Sequence, residues 1–60
     1  TFSAYIRNWR INKAKELLCS TDLKQYQVAE LVGYADPKYF SKVFKEVTGQ
    51  LPAEYRKTYK

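Results

Sequence analysis

The placement of four residues, two glycines and two prolines, decides which parts of this 60-residue chain can be helical. The segment Phe2–Ser20 contains neither type and is rich in helix-forming residues, which predicts one long helix. Further along, Gly33, Pro37, Gly49 and Pro52 divide the chain into short pieces. Because glycine commonly ends a helix and proline is tolerated in its first turn, these positions indicate three further helices.

Capping signals define the ends of these helices. The third helix has the clearest start, since Asp36 can accept a hydrogen bond from its first turn and Pro37 follows at the first helical position. Such a cap stabilises a helix by about 1 kcal/mol. The first helix is expected to be capped by Thr1 or Ser3. The sequence therefore predicts helices over residues 2–20, 25–32, 37–48 and 52–57.

Apolar residues recur at helical spacing along the last three predicted helices. On the third helix they stand at i, i+3, i+4 and i+7, which places them on one face. A chain of this length buries only about 60% of its unfolded surface, so the core is small. The residues of these helices expected in the core are Val28, Leu31, Val32, Phe40, Val43, Phe44, Val47 and Tyr55.

The first helix carries two apolar stripes instead of one. The C-terminal stripe consists of Ile11, Ala14, Leu17 and Leu18. The N-terminal stripe is rotated from it by roughly a third of a turn and consists of Phe2, Tyr5, Ile6 and Trp9. A helix that packs on a single small bundle needs only one stripe. The first helix is therefore expected to pack against two separate helical bundles, only one of which lies in this sequence.

A short connection joins the second and third helices. Ala29 is small enough to let the third helix cross closely, and Gly33 can adopt the positive φ that turns the chain. Followed by the capping aspartate, the proline and the apolar stripe, this spacing predicts a helix-turn-helix.

Lysines line the outward face of the third helix. Lys38, Lys42 and Lys45 form a row with Ser41 beside them, while Glu46 falls at its edge. An ordinary exposed face mixes charges of both signs. The chain carries 11 Lys+Arg against 6 Asp+Glu, a net charge of +5, which favours a polyanionic partner. A lysine row that starts in the first turn is typical of a helix that reads the DNA major groove.

An ordered string of small, aromatic and basic residues runs through nearly the whole chain: Tyr5, Ile6, Arg10, Ile11, Ala14, Leu17, Leu18, Val28, Ala29, Val32, Gly33, Tyr34, Asp36, Tyr39, Phe40, Ser41, Lys42, Phe44, Lys45, Gly49, Pro52, Tyr55 and Arg56. This string resembles the C-terminal half of the DNA-binding domain of AraC/XylS-type transcription regulators. The resemblance implies an all-α, homeodomain-like helix-turn-helix bundle of about four helices with a long first helix. Residues 1–60 would then be one partial domain.

The resemblance also implies that different segments of the chain have different structural roles. Residues 1–21 would join two helix-turn-helix units, and residues 25–57 would form the second unit with its short terminal helix. The first unit, which this sequence lacks, would dock on the N-terminal stripe, Phe2, Tyr5, Ile6 and Trp9. The chain would bind double-stranded DNA sequence-specifically as part of a bacterial transcription regulator. The residues expected to face the major groove are Pro37, Lys38, Tyr39, Ser41 and Lys42, with Lys45 nearer phosphate.

Three positions depart from the family pattern. Gln25 and Gln27 stand where an aliphatic residue and a glutamate are usual, which is expected to loosen the start of the second helix. Leu51 replaces a Ser or Thr, so the last helix is expected to lack a side-chain cap.

Composition argues against other classes of function. The chain has no histidine, one cysteine and six scattered carboxylates, so we expect neither an enzyme nor a metal or other cofactor. The lone Cys19 fits a reducing compartment, and no apolar run reaches a membrane span, so a cytoplasmic protein is expected. The alternative from another class is a protein-interaction bundle that uses the N-terminal stripe as its interface.

Several residues have more than one possible role. Tyr39 can lie against the sugar-phosphate backbone or cover the edge of the bundle. Most of the basic residues spread around the first helix are expected to be solvated surface, while one of them can meet phosphate: Arg7, Arg10, Lys13 and Lys15. Arg56, Lys57 and Lys60 are expected to form a frayed basic tail, either solvated or attracted electrostatically to the DNA backbone.

Overall fold

A computed structural model describes residues 2–60 and shows four α-helices with no strand among them. They are α1 (Phe2–Ser20), α2 (Gln25–Leu31), α3 (Pro37–Thr48) and α4 (Pro52–Tyr59). The expected all-α bundle with a long first helix is confirmed. Ser3 lies inside α1 and does not cap it, and Thr1 lies outside the described residues. No helix in the described part of the chain is long and apolar enough to cross a membrane.

The core lies where α1, α2 and α3 meet, and α4 closes one side of it. Its buried hydrophobic residues are Ile11, Ala14, Leu18, Val28, Ala29, Val32, Tyr34, Phe40, Val43 and Phe44. The predicted C-terminal stripe of α1 is buried, except that Leu17 is half-buried, and Tyr55 packs against the core from α4. Helical periodicity did not predict Tyr34, which lies just after the turn.

Two residues expected in the core are exposed. Leu31 is 64% exposed because Ala29 takes the inward position on α2, which rotates the buried face of this short helix toward Val28 and Val32. Val47 is exposed because it lies in the last turn of α3, where the helix end leaves the packed region. Both errors come from extending the apolar face along the helix without knowing where the neighbouring helices cross.

The turn between α2 and α3 is closed by backbone hydrogen bonds. The Gly33 N–H donates to the Glu30 carbonyl at 3.1 Å, and the Tyr34 N–H donates to the Ala29 carbonyl at 2.8 Å. This pair of bonds is a Schellman motif, which requires a left-handed residue after the helix. Gly33 supplies it with φ +99°. The positive φ predicted for Gly33 is confirmed, and Ala29 is fully buried, as a residue at a close helix crossing has to be.

Arg10 of α1 packs against this turn. A Cβ atom placed on Gly33 would lie 3.2 Å from the Arg10 Cζ. The same Cζ lies 5.3 Å from the centroid of the Tyr34 ring, within the range of a cation–π contact. Arg10 is therefore an exception to the expectation that most basic residues of the first helix are solvated surface. It ties the middle of α1 to the connection that precedes α3.

The C-terminal end of α1 is capped from the other end of the chain. The Arg56 Nε donates to the Leu18 carbonyl at 3.0 Å, and its Nη2 donates to the Thr21 carbonyl at 3.2 Å. The last carbonyls of a helix lack partners within the helix, so these bonds satisfy groups that need them. The Lys60 ammonium donates to the Thr21 carbonyl at 2.9 Å and pairs with the Asp22 carboxylate.

The expectation of a frayed basic tail is therefore wrong for Arg56 and Lys60, although Lys57 is exposed. The hydrogen bond and charge of Lys60 lower the pKa of the Asp22 carboxyl. Tyr55 lies beside Phe44 in an edge-on contact with ring centroids 5.5 Å apart, and its partial burial raises the pKa of its phenol.

Side chains from the first turn cap the starts of α2 and α4. The Gln27 Oε1 accepts a hydrogen bond from the Lys24 N–H at 2.9 Å, and the Glu54 Oε1 accepts one from the Leu51 N–H at 3.0 Å. Each is half of a capping box. Gln27 therefore makes the bond that a glutamate would make, and the expected loosening of the start of α2 stays a prediction. The lack of a cap from the Leu51 side chain is confirmed.

We predict that Gly33→Ala destabilises the chain more than Gly49→Ala does. Both glycines have positive φ, so alanine is strained at either position by about 1–2 kcal/mol. Only at Gly33 does the new methyl group also displace the Arg10 guanidinium from the Tyr34 ring, which adds about 0.5–1 kcal/mol. Urea denaturation of both variants measures the difference. This difference in stability should vanish when Gly33→Ala and Gly49→Ala are each combined with Arg10→Ala. If the difference persists, displacement of the Arg10 guanidinium is not its cause.

We predict that Arg56→Ala lowers the free energy of unfolding by about 1–2 kcal/mol, because two carbonyls lose a charged donor that is partly exposed to solvent. The exposed neighbour provides the control, since Lys57→Ala should change stability by less than about 0.5 kcal/mol. Equal denaturation midpoints for the two variants would show that the Arg56 bonds do not hold α1.

Candidate nucleic-acid interface

The start of α3 is built as the sequence predicted. Asp36 has extended backbone angles, with φ −106° and ψ 111°, and its Oδ1 accepts a hydrogen bond from the Lys38 N–H at 3.0 Å. Pro37 follows as the first residue of the helix. At the other end Gly49 adopts φ +84° and its N–H donates to the Lys45 carbonyl at 2.8 Å. These caps fix both ends of the helix.

The buried side of α3 determines which side faces outward. Phe40 and Phe44 are fully buried and Val43 nearly so. The ring of Phe40 contacts those of Phe44 and Tyr34, with centroid distances of 5.8 Å and 5.7 Å. This aromatic packing prevents rotation of α3 about its axis, so the opposite face is held toward solvent.

The three predicted lysines lie on that outward face. Lys38, Lys42 and Lys45 are exposed, and within residues 2–60 none of their ammonium groups forms an ion pair. The half-buried Pro37 and Ser41 adjoin the row. The lysine row is thus a set of unneutralised hydrogen-bond donors on a fixed helix, an arrangement that suits phosphate oxygens and the acceptor atoms of bases.

Tyr39, the remaining predicted site residue, turns away from the lysine row. Its ring centroid lies 5.9 Å from that of Tyr34, which in turn lies beneath the Arg10 guanidinium. The ring is exposed and flanks α3 on the side of α1. The geometry agrees with the reading of Tyr39 as a residue at the edge of the bundle.

A groove separates the N-terminal half of α1 from the first turn of α3. It has a volume of about 630 Å³ and is lined by, among others, Phe2, Ile6, Arg7, Arg10, Tyr34 and Tyr39. We call this feature the α1–α3 groove. Sequence patterns did not predict it, because it combines residues far apart in the chain. Periodicity alone gave no reason to pair Arg10 with Tyr34.

No metal-binding cluster accompanies these features in the described part of the chain, where no three carboxylate, cysteine or histidine side chains lie together. A smaller cavity of about 300 Å³ lies on the far side of α2, beside Leu23, Gln27, Glu30 and Leu31.

Comparison with known proteins agrees with this geometry. The model of a family described as a helix-turn-helix domain matches residues 1–58. The chain is 49% identical over 57 residues to the uncharacterized HTH-type transcriptional regulator YisR of Bacillus subtilis, covering 95% of this chain and 20% of that protein. It is 47% identical over 47 residues to the arabinose operon regulatory protein of Escherichia coli, covering 78% of this chain and 16% of that protein.

Two solved structures share the fold. The C-terminal domain of AraT, a response regulator from Geobacillus stearothermophilus, gives a TM-score of 0.95 at 43% identity, over 97% of this chain and 48% of that one. The C-terminal domain of the two-component response regulator yesN from Fusobacterium nucleatum gives 0.92 at 43% identity, over 93% of this chain and 54% of that one. The chain thus spans about a fifth or less of the two relatives and about half of the solved domains. It belongs to the AraC-type helix-turn-helix family, the DNA-binding domains of bacterial transcription regulators.

Proposed function

We propose that this chain is the second DNA-reading unit of a longer bacterial transcription regulator, and that it binds double-stranded DNA sequence-specifically by placing α3 in the major groove. The observation that carries the proposal is the lysine row, three exposed lysines without ion pairs among the described residues, held outward by the buried face of α3. A helix of this width fits the major groove of B-DNA, where each base pair presents a distinct set of donors and acceptors. Such a regulator acts in the cytoplasm, where bacterial DNA lies.

Position along the helix suggests a role for each residue. Lys38 and Lys42 contact base edges or the adjacent phosphates, because they lie toward the N-terminal part of α3, the part that enters the groove in helix-turn-helix proteins. Lys45 lies nearer the C-terminal end and contacts phosphate. Ser41 and Pro37 line the same surface, and Ser41 can donate to or accept from either kind of group. Tyr39 lies at the margin of this surface, with its ring on Tyr34.

We also propose that a first unit of the same protein docks on the N-terminal stripe of α1. Phe2, Tyr5 and Trp9 are 80%, 67% and 56% exposed, an unusual amount of apolar surface for one half of a helix. Trp9 and the buried Leu18 stand nine residues apart, about two and a half turns, so they point to opposite sides of α1. The solved domains are about twice as long as this chain, which leaves room for a second body on that side. In this proposal residues 1–21 join the units and residues 25–57 form the second one.

Salt dependence and the lysine row test the DNA proposal. The extended domain, which includes the first unit, should bind a duplex selected from a random library with a log–log salt slope of about −0.9 per neutralised phosphate. Lys38→Ala combined with Lys42→Ala should weaken this binding at least tenfold, since base contacts contribute about 1–3 kcal/mol each. Fluorescence anisotropy measures both quantities.

The matched control is Lys13→Ala combined with Lys57→Ala, which removes the same charge from exposed positions away from α3. It should weaken binding by less than about threefold. Binding that is insensitive to salt, or that falls equally in both double variants, is incompatible with recognition by α3. The 60-residue chain alone should bind weakly and without sequence preference, because half of the contacts are missing.

Trp9→Ala tests the docking of a first unit. It should change the melting temperature of the 60-residue chain by no more than about 2 °C, because the side chain is mostly exposed. In the extended domain it should lower the melting temperature by at least about 4 °C, because a buried tryptophan is lost. Tyr26→Ala, an exposed aromatic on α2, serves as the control that should change neither. An unchanged melting temperature in the extended domain would mean that the stripe is not an interface.

A further inference from the structure

The α1–α3 groove is lined by apolar, aromatic and basic side chains, whereas the lysine row is basic throughout. Phe2 and Ile6 form an apolar wall on α1, and the rings of Tyr34 and Tyr39 form the opposite side. The Arg10 guanidinium lies over the Tyr34 ring and occupies the space beside Gly33 where a side chain would begin. Arg7 is exposed and makes no ion pair within residues 2–60, so its charge is available to an occupant of the groove.

This lining suits a protein side-chain cluster better than a DNA strand. A sugar-phosphate backbone gains little from covering a phenylalanine and an isoleucine, and it would need more than one available cation. A volume of about 630 Å³ holds several side chains. An element with an apolar side chain beside a carboxylate would fill the apolar wall and pair with Arg7 at the same time.

The position of the groove indicates where an element with an apolar side chain and a carboxylate would come from. Phe2 and Ile6 belong both to the groove and to the stripe on which we propose that the first unit docks. A body seated on that stripe therefore reaches the groove without a gap. The solved C-terminal domains extend beyond the matched part by about the length of this chain, which is enough additional sequence for such a body in those domains.

We propose that the α1–α3 groove seats an element of the first unit, which presents an apolar side chain and a carboxylate to Arg7, and that this contact reaches the recognition helix at Tyr39. The inference rests on the proposed two-unit arrangement. It makes Tyr39 a contact between units, so the first unit touches the helix that reads DNA in the second. The relative position of the two reading helices is then set by two contacts, one on the stripe and one in the groove.

Arg7→Gln tests the charge contact without attracting Arg10 away from Tyr34, as an acidic substitute would. In the extended domain it should lower the melting temperature by at least about 3 °C. The 60-residue chain should stay within about 1 °C of the parent, because Arg7 has no partner there within the described residues. Lys57→Gln removes the same charge from α4 and should change neither. No change in the extended domain would overturn the proposal.

Hydrogen–deuterium exchange tests the reach of the contact. Peptides that cover residues 2–10 and 37–41 should both exchange at least about threefold more slowly in the extended domain than in the 60-residue chain. Protection confined to residues 2–10 would mean that the first unit stays on the stripe, and would refute the contact at Tyr39. If Arg7→Gln instead weakens duplex binding by the 60-residue chain more than Lys57→Gln does, the groove holds DNA backbone and the proposal is wrong. Melting and exchange are measured without DNA, so their outcome is independent of whether the lysine row binds DNA.

Discussion

The aromatic packing under α3 is the constraint on which the rest of the structure depends. Phe40 and Phe44 are fully buried, and they link Tyr34 of the turn to Tyr55 of α4. A helix with two large side chains locked in a close-packed core has one allowed rotation about its axis. The charged side of α3 is exposed as a consequence of that rotation. The chemistry of the surface is thus decided by contacts on the opposite side of the same helix.

A core this small contributes little to the free energy of unfolding, so hydrogen bonds at the helix ends contribute a larger share of it. Gly33 and Gly49 close two helices with left-handed turns, while Asp36, Gln27 and Glu54 each bind a backbone N–H at a helix start. Among the described residues no buried side-chain nitrogen or oxygen lacks a hydrogen-bond partner. Since each unsatisfied group would cost about 1–3 kcal/mol, this completeness matters more here than in a larger domain.

Features encoded by adjacent residues were predictable from the sequence, and features made by distant residues were not. The cap at Asp36 and the turn at Gly33 need only local geometry, so spacing was sufficient to find them. The inward face of α2 was misjudged at Leu31 because the packing of α2 on its neighbours buries Ala29 and leaves Leu31 exposed. Arg56 was misread because its acceptors lie 35 and 38 residues away in the chain. The lysine row was predictable because it follows from the buried stripe, whereas the α1–α3 groove depends on how two helices lie in space.

The two attachments of α1 have a mechanical consequence. Arg56 holds its C-terminal end, Arg10 holds its middle against the turn, and the N-terminal half extends beyond both. A helix of 19 residues is about 28 Å long, so roughly half of that length projects past the Arg10 contact. A molecule bound to the N-terminal half of α1 can tilt this helix about the Arg10 contact. That contact lies directly beside the turn that orients α3. A tilt of about 10° at the pivot displaces the far end by about 2 Å, which is more than half of the rise of one base-pair step in DNA. In the proposed two-unit arrangement, the stiffness of the contact between the Arg10 guanidinium and the Tyr34 ring therefore limits how precisely the two DNA-reading surfaces are positioned relative to each other.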